Sequence, residues 1–279
     1  MRLGCHIDPS EFNLNPIHCE ERRRCWAWLM MLYTIQNTML GNQHPLPRIS
    51  QTVQLPLNIN DDGISSDGIS EPPLGPTQMS YLLLKFRLFN ITTKICQEVF
   101  GDDEPCQELI EALDQEICLE QESWDKQYLA DSAINPLPIY HTVHLNILYG
   151  YSHQLFLLLH RPFFAQSIMG FSIPNASQIR CISSAEALLD IHRMFYETPA
   201  FTPYRWYTEG LGSFHAFHAA SVLAVALLQP IYQPQYQKFR RILEHALHIF
   251  EASAERSAIC SKAYRILNWL LLVYRLFMV

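Results

Sequence analysis

None of the eight cysteines, Cys5, Cys19, Cys25, Cys96, Cys106, Cys118, Cys181 and Cys260, has a partner at the C-x-x-C spacing. That excludes zinc sites built on paired thiolates. The chain opens Met1-Arg2 with no apolar signal core, so secretion is not expected, and scattered thiols read as small reduced core residues rather than a disulfide framework. Basic charge is also in short supply: 20 Lys and Arg face 27 Asp and Glu, for a formal charge of −7 and a pI near 5.9. A surface that displaces counterions from phosphate needs a basic stripe, so direct nucleic-acid binding is not expected. No apolar run reaches the roughly 18 residues of a membrane span. The best candidate, 138–160, is interrupted by His141, His144, Asn146, His153 and Gln154.

Catalytic patterns are missing as well. Asp102-Asp103-Glu104 is followed at once by Pro105 and has no second metal motif downstream, so it reads as an acidic helix start. Gly210-Leu211-Gly212-Ser213 lacks the G-x-S-x-G spacing of a nucleophile elbow, and no strand pattern precedes it. His141/His144, His215/His218 and His245/His248 each put two imidazoles on one helix face. Two ligands do not make a site, and with no carboxylate or thiolate at matching positions they read as polar core or cavity residues. No enzyme is expected.

What the chain does have is apolar content and helical periodicity. At 49% hydrophobic and 12% aromatic over 279 residues it can bury a sizeable core. No stretch alternates with the period of a strand, so the fold class is all-α. One multi-helix domain is expected over 1–279, with 42–76 as a long surface loop, because its Pro, Gly, Asp and Ser content cannot pack a core. Helices are expected over about 77–100, 103–129, 138–160, 210–229 and 234–253, with another starting near an Asn175 or Ser177 cap. A last one from about Ala258 is apolar almost all round, as in a buried helix or a partner surface.

The most distinctive stretch is 20–41, where Glu20-Glu21-Arg22-Arg23-Arg24-Cys25-Trp26 leads into an aromatic and aliphatic run ending at Gly41. Asn15 can cap this helix and Pro16 can occupy its first position, with Trp26, Leu29, Met30, Tyr33 and Leu40 forming one buried stripe. Arg22, Arg23 and Arg24 are consecutive and so radiate around the helix. They read as solvated or salt-bridged rather than phosphate-binding. His160-Arg161-Pro162 reads as a helix end, with a polar ring and a cation near the last carbonyls before proline stops the helix.

These segments occur in a telling order. Leu3-Gly4-Cys5-His6-Ile7-Asp8-Pro9, the Glu-Arg-Arg-Arg-x-Trp helix, Leu55-Pro56-Leu57-Asn58-Ile59-Asn60-Asp61-Asp62 and Leu159-His160-Arg161-Pro162-Phe163 together resemble the regulatory (middle homology) domain of fungal zinc-cluster transcription factors. The resemblance spans most of the chain. It departs at Gln36-Asn37, where the family commonly carries Asp-Arg, so an ion pair formed there in relatives is expected to be absent. The chain opens on what resembles the end of an earlier family helix, which implies an N-terminally incomplete domain, with zinc belonging only to a cluster outside this chain.

The resemblance further implies control of RNA polymerase II transcription from the nucleus, through the transcription machinery or a regulatory protein, a homodimer or a small-molecule effector. The best pocket-like composition lies in 201–218, which mixes aromatic residues with Arg205 and histidines, although ordinary helical core packing gives the same composition; Tyr204, Trp206, His215 and His218 are the effector-pocket candidates. The competing reading is a helical metabolite-binding protein or enzyme unrelated to transcription.

Overall fold

The structure, a computed structural model, describes residues 4, 6–40, 53–73, 75–99, 106–129, 137–167 and 175–277. Among them are nine α-helices and, in place of any sheet, one isolated bridge between Ile64 and Ile69. The all-α expectation is met. The acidic start at 102–105, Gly41, and Leu3 and Cys5 of the first motif lie outside the described residues. The chain divides into two compact units, Met1–Leu148 and Tyr149–Val279.

In the first unit, α1 (Pro16–Leu40) starts as its sequence dictates: the Asn15 side chain accepts the His18 N–H at 2.9 Å, and Pro16 takes the first helical position. Among its described side chains the buried apolar ones are Trp26, Ala27, Met30 and Met31, whereas Leu29, expected inside, is 51% exposed. The inward stripe is rotated because Trp26 and Met30 pack with Val53 and Phe86. Trp26→Ala is expected to cost about 3 kcal/mol, read as a lower melting temperature.

Two more helices complete the periodic part of this unit. Helix α2 (Ser80–Val99) buries Leu82, Leu88, Phe89 and Ile95, and α3 (Gln107–Leu129) buries Ile110, Leu113, Ile117, Trp124 and Tyr128. The two helices are also tied by Lys94 to Glu116 at 2.7 Å. The segment expected as a mere surface excursion does contribute to the core, since Val53 and Ile59 are buried.

Helix α4 (Ile139–Ser167) corrects the expected boundary, because it runs straight through Pro162. An interior proline removes one backbone hydrogen bond and crowds the preceding turn, which costs about 3 kcal/mol. Here Leu159 and Phe164 are buried on either side of it, so packing holds the helix together where local propensity would end it.

The second unit continues with α5 (Ala176–Glu197), opened by a reciprocal cap in which Asn175 and Gln178 each bond the other's backbone N–H at 2.9 Å. After a 3-10 turn over Pro199–Tyr204 come α6 (Arg205–Thr208), α7 (Leu211–Ala226), α8 (Tyr236–Ser253) and α9 (Ala258–Phe277). Helix α7 is apolar all round and central, its buried Ala216, Ala219, Ala220 and Leu223 forming one core with residues of α5, α8 and α9. Helix α9 is instead two-faced: Cys260, Ala263, Leu267 and Leu271 are buried while Ile266, Trp269 and Leu272 are exposed.

The Gly-Leu-Gly-Ser segment has a packing explanation. A Cβ at Gly212 would sit 2.7 Å from the Tyr207 ring and 2.8 Å from its backbone carbonyl. Gly212→Ala is therefore expected to destabilise the protein by about 2 kcal/mol, measured by denaturant midpoint.

Candidate functional site

Three of the four segments singled out above, far apart in the chain, meet in one network in the first unit. Asp8 accepts bonds from the backbone N–H of Ser10 at 2.9 Å and of Gln54 at 2.8 Å, and from the Arg23 guanidinium at 3.0 Å. Arg23 also reaches Glu20 at 3.3 Å, and Glu20 accepts the Leu57 N–H at 3.0 Å. Both carboxylates are buried. The guanidinium beside Asp8 holds its carboxyl well below the usual range, against the opposing effect of burial, and the Arg23 guanidinium is in turn pushed up by Asp8.

Arg24 continues the network to Asp61 and to the Ile59 carbonyl at 3.5 Å. Asn58 accepts from Thr77 at 2.7 Å and from Ser80 at 2.9 Å, so the 55–62 loop also fixes the start of α2. Of the three arginines, Arg22 alone lies outside the charge network, placed over the Phe12 ring at 5.4 Å. Arg23 and Arg24 therefore clamp the loop to α1. The expectation of salt-bridged arginines described their pairing, not the burial of their partners.

The second unit holds the other signature residues. His160 is buried and pairs with Ser177 at 3.0 Å, which ties α4 to the start of α5 instead of capping a helix end, and Arg161 is exposed.

The effector-pocket candidates are not alike. Trp206 is 61% exposed and His215 is 3% exposed, against the Tyr151 ring at 5.8 Å. His218 bonds Gln154 at 2.9 Å, and burial, aided by the Arg161 charge, pushes it down to about 4. Tyr204 ends the 3-10 turn, half-buried. None of the four lines either of the two clefts described for this unit, the one between α5 and α8 or a shallower one on α9. Of the two rings, Trp206 faces solvent and His215 is packed inside.

A Ser–His pair exists, in a place and orientation that deny it nucleophilic chemistry. The Ser213 hydroxyl donates to the Thr208 carbonyl and accepts from His192 Nε2 at 3.0 Å, with Cys260 Sγ at 3.2 Å. The serine proton thus points away from the imidazole, the reverse of base activation. His192, Ser213 and Cys260 are all buried, and burial holds His192 down to about 4. The cluster is a structural knot joining α5, α7 and α9.

Among the described residues no three His, Cys, Asp or Glu side chains are grouped to hold a metal. The His141 and His144 rings lie 6.4 Å apart within a Tyr-rich cluster with Tyr81, Tyr128 and Tyr140. Burial pushes His144 down to about 4.

The site that sequence reasoning missed is the cleft between α5 and α8, about 340 Å³ in volume. Its floor is Leu189, Ile242, Ala246 and Ile249, and its rim carries Glu186, Asp190, Arg193, Lys238, Arg241 and His245. Its volume falls in the range of small-molecule sites. Most of the rim is neutralised internally: Lys238 pairs with Glu186 at 2.5 Å, Arg193 with Asp190 and with Glu197 at 2.9 Å, and His245 with Glu197 at 2.9 Å. Arg241 is the exception. It is exposed and has no ion pair with any described residue. The signal was present as charged residues at three- and four-residue spacing on each helix, but nothing in the sequence says that these two faces meet.

Comparison with known proteins finds partial similarity to two regulators of transcription. It is 26% identical over 173 residues to an uncharacterized transcriptional regulatory protein of Schizosaccharomyces pombe, covering 59% of this chain and 21% of that protein. It is 25% identical over 124 residues to the Zn(2)-C6 fungal-type transcription factor pigI of Monascus ruber, covering 41% of this chain and 15% of pigI. The chain spans about a fifth or less of the length of these curated relatives. No family model matches it, and no solved structure does.

Proposed function

We propose that this chain is a helical regulatory domain of a fungal transcription regulator, acting in the nucleus by sensing an effector or a partner protein rather than by catalysis. The observation that carries the proposal is the assembly of the signature segments: Asp8, Glu20, Arg23, Arg24, Leu57 and Asp61 come from three separated stretches and form one network. A regulatory role agrees with relatives that are themselves transcription regulators. It also agrees with an acidic chain that has no paired cysteines, for which DNA reading and zinc would belong to another segment or subunit. Its regulatory partner would be the transcription machinery, another regulatory protein or a second copy. Transcript levels in a fungal strain overproducing the chain, compared with one lacking it, test this. A reproducible set of altered transcripts is expected, and identical profiles would count against the proposal.

A further inference from the structure

We infer that the α5/α8 cleft binds a small organic monoanion with an aliphatic body, its carboxylate seated on Arg241. The inference rests on the regulatory reading above, for which it names the effector site and the effector's chemical class.

The cleft has two parts with different chemistry. Leu189, Ile242, Ala246 and Ile249 form an apolar strip along the two helices, which gains by covering an alkyl chain. Of the three lining cations, Arg193, Lys238 and Arg241, only Arg241 is without a carboxylate partner among the described residues. Lys238 and Arg193 are already engaged by Glu186, Asp190 and Glu197, and the His245 imidazole leans on Glu197. Arg241 stands one residue before Ile242 at the edge of the strip, with no carboxylate of its own. A guanidinium is a planar fork that binds a carboxylate through two parallel hydrogen bonds, and a carboxylate supplies the partner that Arg241 lacks. An amine would be repelled by that unpaired guanidinium, and an alcohol would leave its charge unmatched. Two contacts, Glu186–Lys238 and Glu197–His245, join α5 to α8 beside the cleft.

Octanoate, with octanol and octylamine as neutral and cationic counterparts, is the test set, titrated into the whole chain by calorimetry and by chemical-shift changes at Ile242 and Ala246. Saturable octanoate binding that shifts those resonances, at least tenfold tighter than either counterpart, is the expected result. Arg241→Gln should weaken octanoate at least tenfold while leaving the unliganded melting temperature unchanged, because Arg241 is exposed and makes no ion pair. Ile242→Asp, which puts a charge in the strip, should also weaken it. Equal affinity for all three probes, shifts confined to residues outside the cleft, or undiminished binding to Arg241→Gln would each overturn the inference. The regulatory reading fails separately, through unaltered transcript profiles, so an empty cleft in a chain that still changes transcription would remove this inference alone.

Discussion

Arg23→Ala should lower stability by about 3 to 5 kcal/mol, whereas Arg22→Ala should stay within about 0.5 kcal/mol of the parent, although the two residues are adjacent in the chain. The difference comes from what each would leave behind. Arg23 is the cation shared by Asp8 and Glu20, both buried; its removal strands Asp8 and leaves Glu20 only Arg24 at 3.9 Å, in a site where each carboxylate also organises backbone of the 54–57 segment. Arg22 packs on the Phe12 ring and balances no buried charge. Arg23→Lys should recover only part of the loss, since an ammonium cannot reproduce the fork that serves both carboxylates. Urea unfolding of the three variants decides it, and an Arg23→Ala midpoint equal to that of the parent would show that the network contributes nothing.

Acidification should produce the second large effect. Burial holds His144, His153, His192 and His218 each down to about 4, while the same residues in an unfolded chain titrate near 6.5. Between those values the unfolded state binds more protons, so stability rises with pH there: it is fully present above about pH 6.5 and is lost as pH falls toward 4. For His192, which is wholly enclosed, the loss is on the order of 3 kcal/mol. Asp8 acts in a lower window. Its carboxyl is depressed by Arg23, so its contribution is lost below about pH 4. Urea midpoints at pH 7.5, 5.5 and 4 should fall steadily, and His192→Gln, which keeps a donor for Ser213, should fall less steeply over the upper interval. A midpoint constant from pH 7.5 to 4 would contradict the burial of these imidazoles.

Helix class and much of the core were legible because periodicity is a local signal. Leu113, Ile117 and Trp124 on α3, and Val143, Ile147, Tyr151, Leu155 and Leu159 on α4, are buried where three- and four-residue spacing puts them. The Asn175 cap was legible for the same reason. Reading failed where tertiary contacts override local preference. Proline at 162 reads as a stop, yet buried neighbours carry α4 past it. A Pro- and Gly-rich segment reads as excursion, yet Val53 and Ile59 enter the core once Asp8 and Glu20 fix the backbone beside them. Trp206 reads as pocket lining by composition alone, and its exposure follows from a short helix that packs Tyr207 inward instead. The α5/α8 cleft needed the pairing of two helices separated by α7, which no local pattern encodes.

Transcription from a reporter with the whole chain tethered upstream, through a foreign DNA-binding domain, measures the regulatory role itself. Output clearly different from that of the DNA-binding domain alone, and varying with growth condition, is the expected result. Output identical to the DNA-binding domain alone under every condition, from a fusion shown to be folded and nuclear, would contradict it.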